Sequence, residues 1–444
     1  MIDILGNRTY RHLFFAQIVA LVGTGLATVA LGLLAYELAG QDAGAVLGTA
    51  LAIKMVAYVL VAPLAGAYAN RLPRRALLVA LDVARLTVVL LLPWVNQVWQ
   101  IYVLIFVLQS CSAAFTPSFQ ATIPEVLPEE DDYTKALSLS RLAYDLENLL
   151  SPALAAALLA VVTYHELFLG TAVGFLGSAL LVVSVALPQA PAEPLKTSVR
   201  RKLTSGARIY LATPRLRGLL ALTLAAAAGS AMVIVNTVVI VRSGLARPES
   251  AVAIALAAFG AGSMLMAFVL PKLLERRSDR SVMLVSGAVL TLGLVGLALI
   301  WSALAVAARW PAMLVDWFVL GMAYSALVTP SGRLLRRSSH EVDRPALYAA
   351  QFSLSHACWL LAYPLVGWLG ARAGIPSALW VMAGLAAVGV TAALWLWPKD
   401  DNERLHHTHD ALPADHPHLL EYGPEGQHAH TFVIDDLHTR WPTR

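Results

Sequence analysis

Apolar stretches long enough to cross a lipid bilayer follow one another along this chain with almost no soluble sequence between them. A helix needs about 20 apolar residues to span the hydrocarbon core. Such stretches lie near 13–38, 44–69, 76–95, 99–123, 138–162 and 165–187, and again near 217–241, 250–274, 281–306, 311–331, 346–370 and 377–397. Hydrophobic residues make up 58% of the 444 and charged residues 14%, whereas a soluble domain carries about 25% charge. That is too little charge to cover a water-facing surface of this size, so the apolar residues must face lipid. The expected fold class is an all-α membrane protein of twelve transmembrane helices in two six-helix pseudo-repeats.

Basic residues order these spans. Only Arg242, Arg247, Arg309 and Arg372 fall in the loops of one side, and Lys54 and Arg85 lie within spans; nearly all the rest of the 32 Lys and Arg residues fall on the other side. By the positive-inside rule the basic side is the cytoplasm, and an even count puts both termini there. The expected location is the inner (plasma) membrane. The formal charge of +4 therefore reflects topology, and no nucleic-acid partner is expected. Cys111 and Cys358 both fall within spans, which argues against a disulfide framework.

The longest interior break, 188–216, opens with Pro188, Pro191 and Pro194 and then turns basic through Lys196, Arg200, Arg201, Lys202 and Arg208. It predicts a cytoplasmic linker with a basic surface helix, between six-helix bundles at 1–187 and 217–397. A cytoplasmic tail follows at 398–444. Equal halves around a linker imply an internal repeat with a binding site near mid-membrane.

After the second span stands Gly66-Ala-Tyr-Ala-Asn70-Arg71-Leu-Pro73-Arg74-Arg75. It resembles the cytoplasmic loop signature of the major facilitator superfamily, G-x-x-x-D-R-x-G-R-R, with Asn70 in place of the acid and Pro73 in place of a glycine. After the eighth span, Pro271-Lys-Leu-Leu-Glu275-Arg276-Arg277-Ser-Asp-Arg280 repeats the pattern in degenerate form. The resemblance implies the major facilitator fold, and a gating latch that includes Gly66, Arg71, Arg74, Arg75, Asp82, Arg85, Glu275 and Arg276. Arginines at helix ends suit such a latch, because they make charge-assisted bonds to carboxylates and to terminal carbonyls. In the fifth span, Ser151-Pro152 resembles the Gly-Pro pair of exporters in that superfamily, with Ser151 in place of the glycine, and implies outward transport.

Polar groups inside a bilayer cost at least about 2.5–3.5 kcal/mol when charged, so each is a functional candidate. Lys54, Asp316 and His356 are the ionisable candidates for the substrate or proton pathway, with Gln17, Gln109 and Asn236 as uncharged ones. Pairing with a carboxylate for Lys54, or an interior hydrogen bond for His356, is the competing structural account. Glu37 reads as a rim residue. No nucleotide-binding loop and no H-E-x-x-H or nucleophile–base pattern is present. No cofactor, no ATP use and no enzymatic activity are therefore expected.

The tail holds eight of the twelve histidines, His406, His407, His409, His416, His418, His428, His430 and His438, six of them in His-x-His pairs. Imidazoles in a His-rich tract suit nickel, zinc, cobalt or copper. An apolar twelve-span core with such a tail resembles the bacterial nickel-resistance permeases. The stretches Asn7–Phe14 and Pro117–Pro124 also resemble the branch that includes siderophore and small-molecule exporters. The expectation is a proton-coupled, monomeric exporter of a divalent metal such as nickel, working by alternating access. An exporter of a small organic solute with an incidental tail, or a metal sensor that transports nothing, are the alternatives. The expected partners are membrane lipid, protons and the transported ion or small molecule.

Overall fold

The computed structural model describes residues 2–68, 73–129, 132–133, 135–136, 139–140, 143, 151, 154–188, 199–303, 305–340, 343–401, 404–408, 427–435 and 437–442. Side chains are not described at 2, 62–68, 117, 120–121, 124, 199–205, 306–307, 344–345, 407–408 and 427–431.

Long helices are the only way to satisfy backbone polar groups in lipid without closing a barrel, and helices are what the apolar stretches form. They are α1 (Arg8–Ala39), α2 (Ala43–Tyr68), α3 (Arg74–Leu91), α4 (Val98–Val126) and α5 (Tyr164–Val183). After an amphipathic α6 (Val199–Ala212) come α7 (Pro214–Val239), α8 (Glu249–Arg276), α9 (Asp279–Ala303), α10 (Val306–Val328), the short α11 (Ser331–Arg337) and α12 (Arg344–Leu396). Nine segments of the described residues are long and apolar enough to cross a membrane. Two of them, Arg8–Val61 and Ala346–Leu396, each contain two helices, so eleven crossings are described. About half of the expected fifth span lies outside the described residues. The two doubled segments turn at glycines with positive φ, Gly40 (54°) and Gly374 (82°), a backbone state that side-chain-bearing residues rarely adopt.

The helices pair in the same way twice. In the first half α1 packs along α5, α2 along α4, and α3 against α4 and α5. In the second half α7 packs on the last part of α12, where Gly218 meets Trp397 and Gly389 meets Ala221. There α8 runs along α10, and α9 packs on α10 and on the same part of α12 through Gly287 and Val390. This repeat agrees with the pseudo-repeats expected from the spans. The hub is α7, buried along nearly its whole length.

Lipid contact is legible at the surface. Large apolar side chains such as Phe268, Val173 and Leu292 stand exposed on the helix flanks. Trp94 and Trp99 are exposed at one end of the bundle and Trp395 at the other, as an aromatic belt at each interface requires.

A two-stranded antiparallel ribbon, β1 (Arg404–Thr408) with β2 (Gln427–Thr431), lies in the tail, pairing His407 with His428 and Leu405 with His430. Phe432 and Ile434, just beyond it, are buried in the main core.

Candidate functional site

Five helices and Ser151 converge on a central cavity of about 160 Å³. Its first-half wall comes from α1 (Gly25, Thr28, Gly32), α2 (Leu47) and Ser151. Its second-half wall comes from α7 (Ser230, Thr237), α8 (Phe259, Ser263) and α10 (Tyr324). Every polar lining group among the described residues is a hydroxyl. Two are held by indoles behind the wall: Trp317 donates to Thr237 Oγ1 at 2.8 Å, and Trp359 donates to Ser230 Oγ at 3.0 Å. Trp317 is wholly buried, so that bond has no competition from water. The Ser151 hydroxyl is buried and has no hydrogen-bond partner among the described residues. Such a wall suits a small solute held mainly by apolar contact and oriented by a few hydroxyl bonds.

None of the six residues expected to line the pathway borders this cavity. Lys54 and Gln109 do share a smaller void of about 30 Å³ inside the first half, with Thr24, Thr28 and Ser112. Because Thr28 and Leu47 border both spaces, the two are neighbours. The Lys54 ammonium lies 5.8 Å from the Tyr58 ring, and Tyr58 stacks on His356 at 5.6 Å across the two halves. A cation over an aromatic face is attracted by the ring quadrupole. Gln17 accepts a hydrogen bond from Ser140 at 3.1 Å. Asp316 sits between α9 and α10 beside Gly293, with one carboxylate oxygen buried and unbonded among the described residues. Glu37 accepts from the Tyr164 hydroxyl.

Asn236 occupies the seam between the halves. It is wholly buried, donates to Val366 O at 3.2 Å, and sets its amide oxygen against Gly44 and Gly370. Around it, Tyr36 bonds Ser243 at 2.9 Å, Arg242 lies over the Tyr36 ring, and Trp368 donates to Thr49 at 3.2 Å. These contacts close the seam at the end away from both chain termini.

Four of the expected latch residues, Arg74, Arg75, Asp82 and Arg85, bond within the first half. Arg74 pairs with Glu125 at the end of α4, and Arg75 donates to Val183 O at the end of α5. Asp82 is wholly buried, bonded by Arg85 and by Ser178 at 2.8 Å. The Arg85 guanidinium lies between the Phe115 and Phe175 rings, 4.1 and 4.6 Å from their centroids. Every one of these partners belongs to α3, α4 or α5. Arg71 lies outside the described residues, and Gly66 is placed only as a backbone position in α2. Glu275 and Arg276 are exposed at the end of α8. Sequence reasoning missed the second half's own buried acid, Asp279, which Arg337 (3.0 Å) and Arg333 (3.4 Å) of α11 approach together. Its signal was the Arg-x-x-x-Arg spacing on one helix face.

The tail is docked. Asp435 accepts from the imidazole of His438 at 3.0 Å, and its other oxygen is 3.5 Å from His340 in the α11–α12 turn. Arg208 of α6 donates to the Asp435 carbonyl at 2.7 Å, and Arg215 of α7 lies 5.4 Å from the Trp441 ring. Burial pushes the Asp435 carboxyl up, but the side-chain and backbone bonds from His438 outweigh it and hold that carboxyl well below the usual range. At the other terminus, the Lys135 ammonium likewise holds the Asp3 carboxyl low. Among the described residues no three His, Cys, Asp or Glu side chains are gathered as a metal centre. His406 is exposed. His407, His428 and His430 are placed by strand register alone, and His409, His416 and His418 lie outside the described residues.

Crossing helices paired alike in two halves around a shared cavity define a multi-pass membrane transporter fold rather than an enzyme. The chain belongs to the Major Facilitator Superfamily, whose sequence profile matches residues 13–305 and 219–421. It is 25% identical over 287 residues to the uncharacterized MFS-type transporter YfiS of Bacillus subtilis (strain 168), a match that spans 61% of this chain and 65% of that relative. Among solved structures it is similar to the nucleoside transporter NupG (TM-score 0.66, 13% identity, 87% of this chain and 98% of that one). It is also similar to a POT family transporter in complex with 5-aminolevulinic acid (TM-score 0.69, 12% identity, 89% and 97%). A third likeness is to a D-xylose-proton symporter (TM-score 0.62, 15% identity, 89% and 97%). At such identities these likenesses speak to the fold.

Proposed function

We propose that this protein is a proton-coupled exporter of a small, largely apolar organic solute, working by alternating access in the plasma membrane. The observation that carries the reading is the central cavity: both halves build it, and its described lining offers hydroxyls and two aromatic rings but no carboxylate or imidazole. A divalent cation would need hard oxygen or imidazole ligands there. At about 160 Å³ the cavity matches a ligand of roughly benzene size, which a void of about 150 Å³ can hold. The two halves, 1–187 and 217–397, are the moving bodies. With the basic end in the cytoplasm, together with both termini, the seam around Asn236 is closed toward the outside. Asp316 is our choice for the proton carrier, because its buried oxygen lacks a partner among the described residues. The chain acts as a monomer in this reading, since one copy supplies both walls of the cavity.

A second reading has its own support. The ribbon pairs His407 with His428 and brings His430 into register with Leu405, which favours capture of nickel or a similar divalent ion by the tail. Flux in proteoliposomes separates the two. Under an imposed proton gradient, the organic reading expects transport of small aromatic or aliphatic solutes, unchanged when the tail histidines other than His438 are replaced by Ala. Nickel, cobalt or zinc flux that falls in that variant, with no organic flux, would replace it with the metal reading. Metal binding without any flux would leave a sensor.

A further inference from the structure

A cavity larger than the central one lies on the flank of the molecule. Between α8, α9 and α10 runs a groove of about 390 Å³, more than twice the volume of the central one. Its floor is a small apolar cluster of Leu270, Val282 and Ala326, separate from the main core. Its lip includes Val285, 63% exposed, so the groove opens sideways to the bilayer. Met266 lines its deep end and Arg277 its shallow end. Eleven helical residues cover about 16 Å, and half of the hydrocarbon core is about 15 Å. The groove therefore runs from the membrane interface to the bilayer centre, the depth of a single leaflet. At about 30 Å³ per water-sized group, it has room for about a dozen methylenes.

The shallow end is polar and basic. Arg277 is exposed in the α8–α9 turn, and its guanidinium has no acidic or other hydrogen-bond partner among the described residues. Ser281 borders the groove beside it. Of the neighbouring acids, Asp279 is engaged by Arg333 and Arg337, which leaves Glu275 against Arg276, Arg277 and Lys272. An apolar slot one leaflet deep with an uncompensated guanidinium at its mouth complements the charge and shape of an anionic phospholipid.

We propose that this groove binds one anionic phospholipid of the leaflet on the basic side, an acyl chain in the slot and the phosphate on Arg277. The site is separate from the central cavity and stands or falls independently of what the protein transports.

Native mass spectrometry of the full chain, with dioleoyl-phosphatidylglycerol or dioleoyl-phosphatidylcholine added at equal concentration, tests it. One saturable phosphatidylglycerol is expected on the wild type. R277Q should weaken it roughly fivefold, the share of one basic side chain at a membrane surface, and leave phosphatidylcholine binding unchanged. Val285→Trp, a substitution at an exposed position, should block the slot and remove the bound lipid while Arg277 stays. Inorganic phosphate alone should not compete at equal concentration; if it does, the site is an anion site without the acyl slot and the proposal fails. Equal retention of both lipids, or lipid retained undiminished in both variants, would also overturn it.

Discussion

Gly44 of α2 and Gly367 of α12 touch backbone to backbone across the seam, so close that a methyl group on Gly367 would run into the Gly44 carbonyl. Gly48 meets Tyr363 in the same way one turn further along. A side chain here forces the two helices apart. Gly367→Leu is therefore expected to hold the seam open, with insertion into the membrane preserved and transport reduced at least about tenfold. The check is a Tyr36→Cys/Ser243→Cys pair, whose parent side chains are bonded at 2.9 Å. Its yield with a short bifunctional thiol reagent should drop in the Leu variant. An unchanged yield would mean that the glycine contact does not govern closure.

The cavity wall makes a second prediction. Trp317 is buried behind Thr237 and donates to its hydroxyl. Trp317→Phe keeps most of the ring volume and removes only the donor. A net intramolecular hydrogen bond contributes about 0.5–1.5 kcal/mol, so a few-fold change in KM is expected with little change in detergent-solubilised Tm. A large fall in Tm with unchanged KM would make the bond purely structural.

Asp82 and Arg85 form the third test. Both are buried, and Arg85 is packed between two phenyl rings. Removing one partner of a buried pair strands the other charge, at about 3–5 kcal/mol, whereas replacing both is far milder. Arg85→Leu should therefore lower Tm and expression sharply, and the Asp82→Asn/Arg85→Leu double variant should recover a large part. If the double variant is no better than the single, the pair is not the stabilising unit.

Span lengths were legible in the sequence because bilayer thickness sets them, and the Gly40 turn because a five-residue gap leaves no room for anything else. The cavity was not. Helices apolar on every side carry almost no directional signal, so nothing distinguishes Thr237 in the wall from Thr24 beside the smaller void; the hydroxyl of each donates to the carbonyl four residues back. Ionisable residues drew attention by their cost, yet that cost is met locally: Asp82 by Arg85 and Ser178, and Lys54 beside the Tyr58 ring. The tail misled by composition. His438 shares its residue type with seven neighbours, but it is buried because Phe432 and Ile434 anchor that stretch in the core.

Asp316 is the fourth prediction. Asp316→Asn removes the carboxylate between α9 and α10 without changing its shape. If it carries the proton, gradient-driven flux should fall at least about tenfold while substrate exchange across the membrane without a gradient persists. Loss of both together would assign Asp316 to folding or binding instead.

The docked tail gives the last. Asp435 joins the tail to His340, and its backbone carbonyl joins it to Arg208, so losing its charge should loosen residues 432–438. A charged hydrogen-bond partner contributes about 1.5–3 kcal/mol, and Asp435→Asn should raise hydrogen exchange in that stretch by tenfold or more. The pH dependence has a definite sign. A carboxyl held below its unfolded value contributes stability above that value and loses it only as pH falls through its folded value. For Asp435 the folded value is well below the usual range. Protection of 432–438 in the wild type should therefore survive from pH 7 down through about pH 4, where free carboxylates titrate. Protection that disappears near pH 4 would show that the Asp435 bonds do not hold the tail in place.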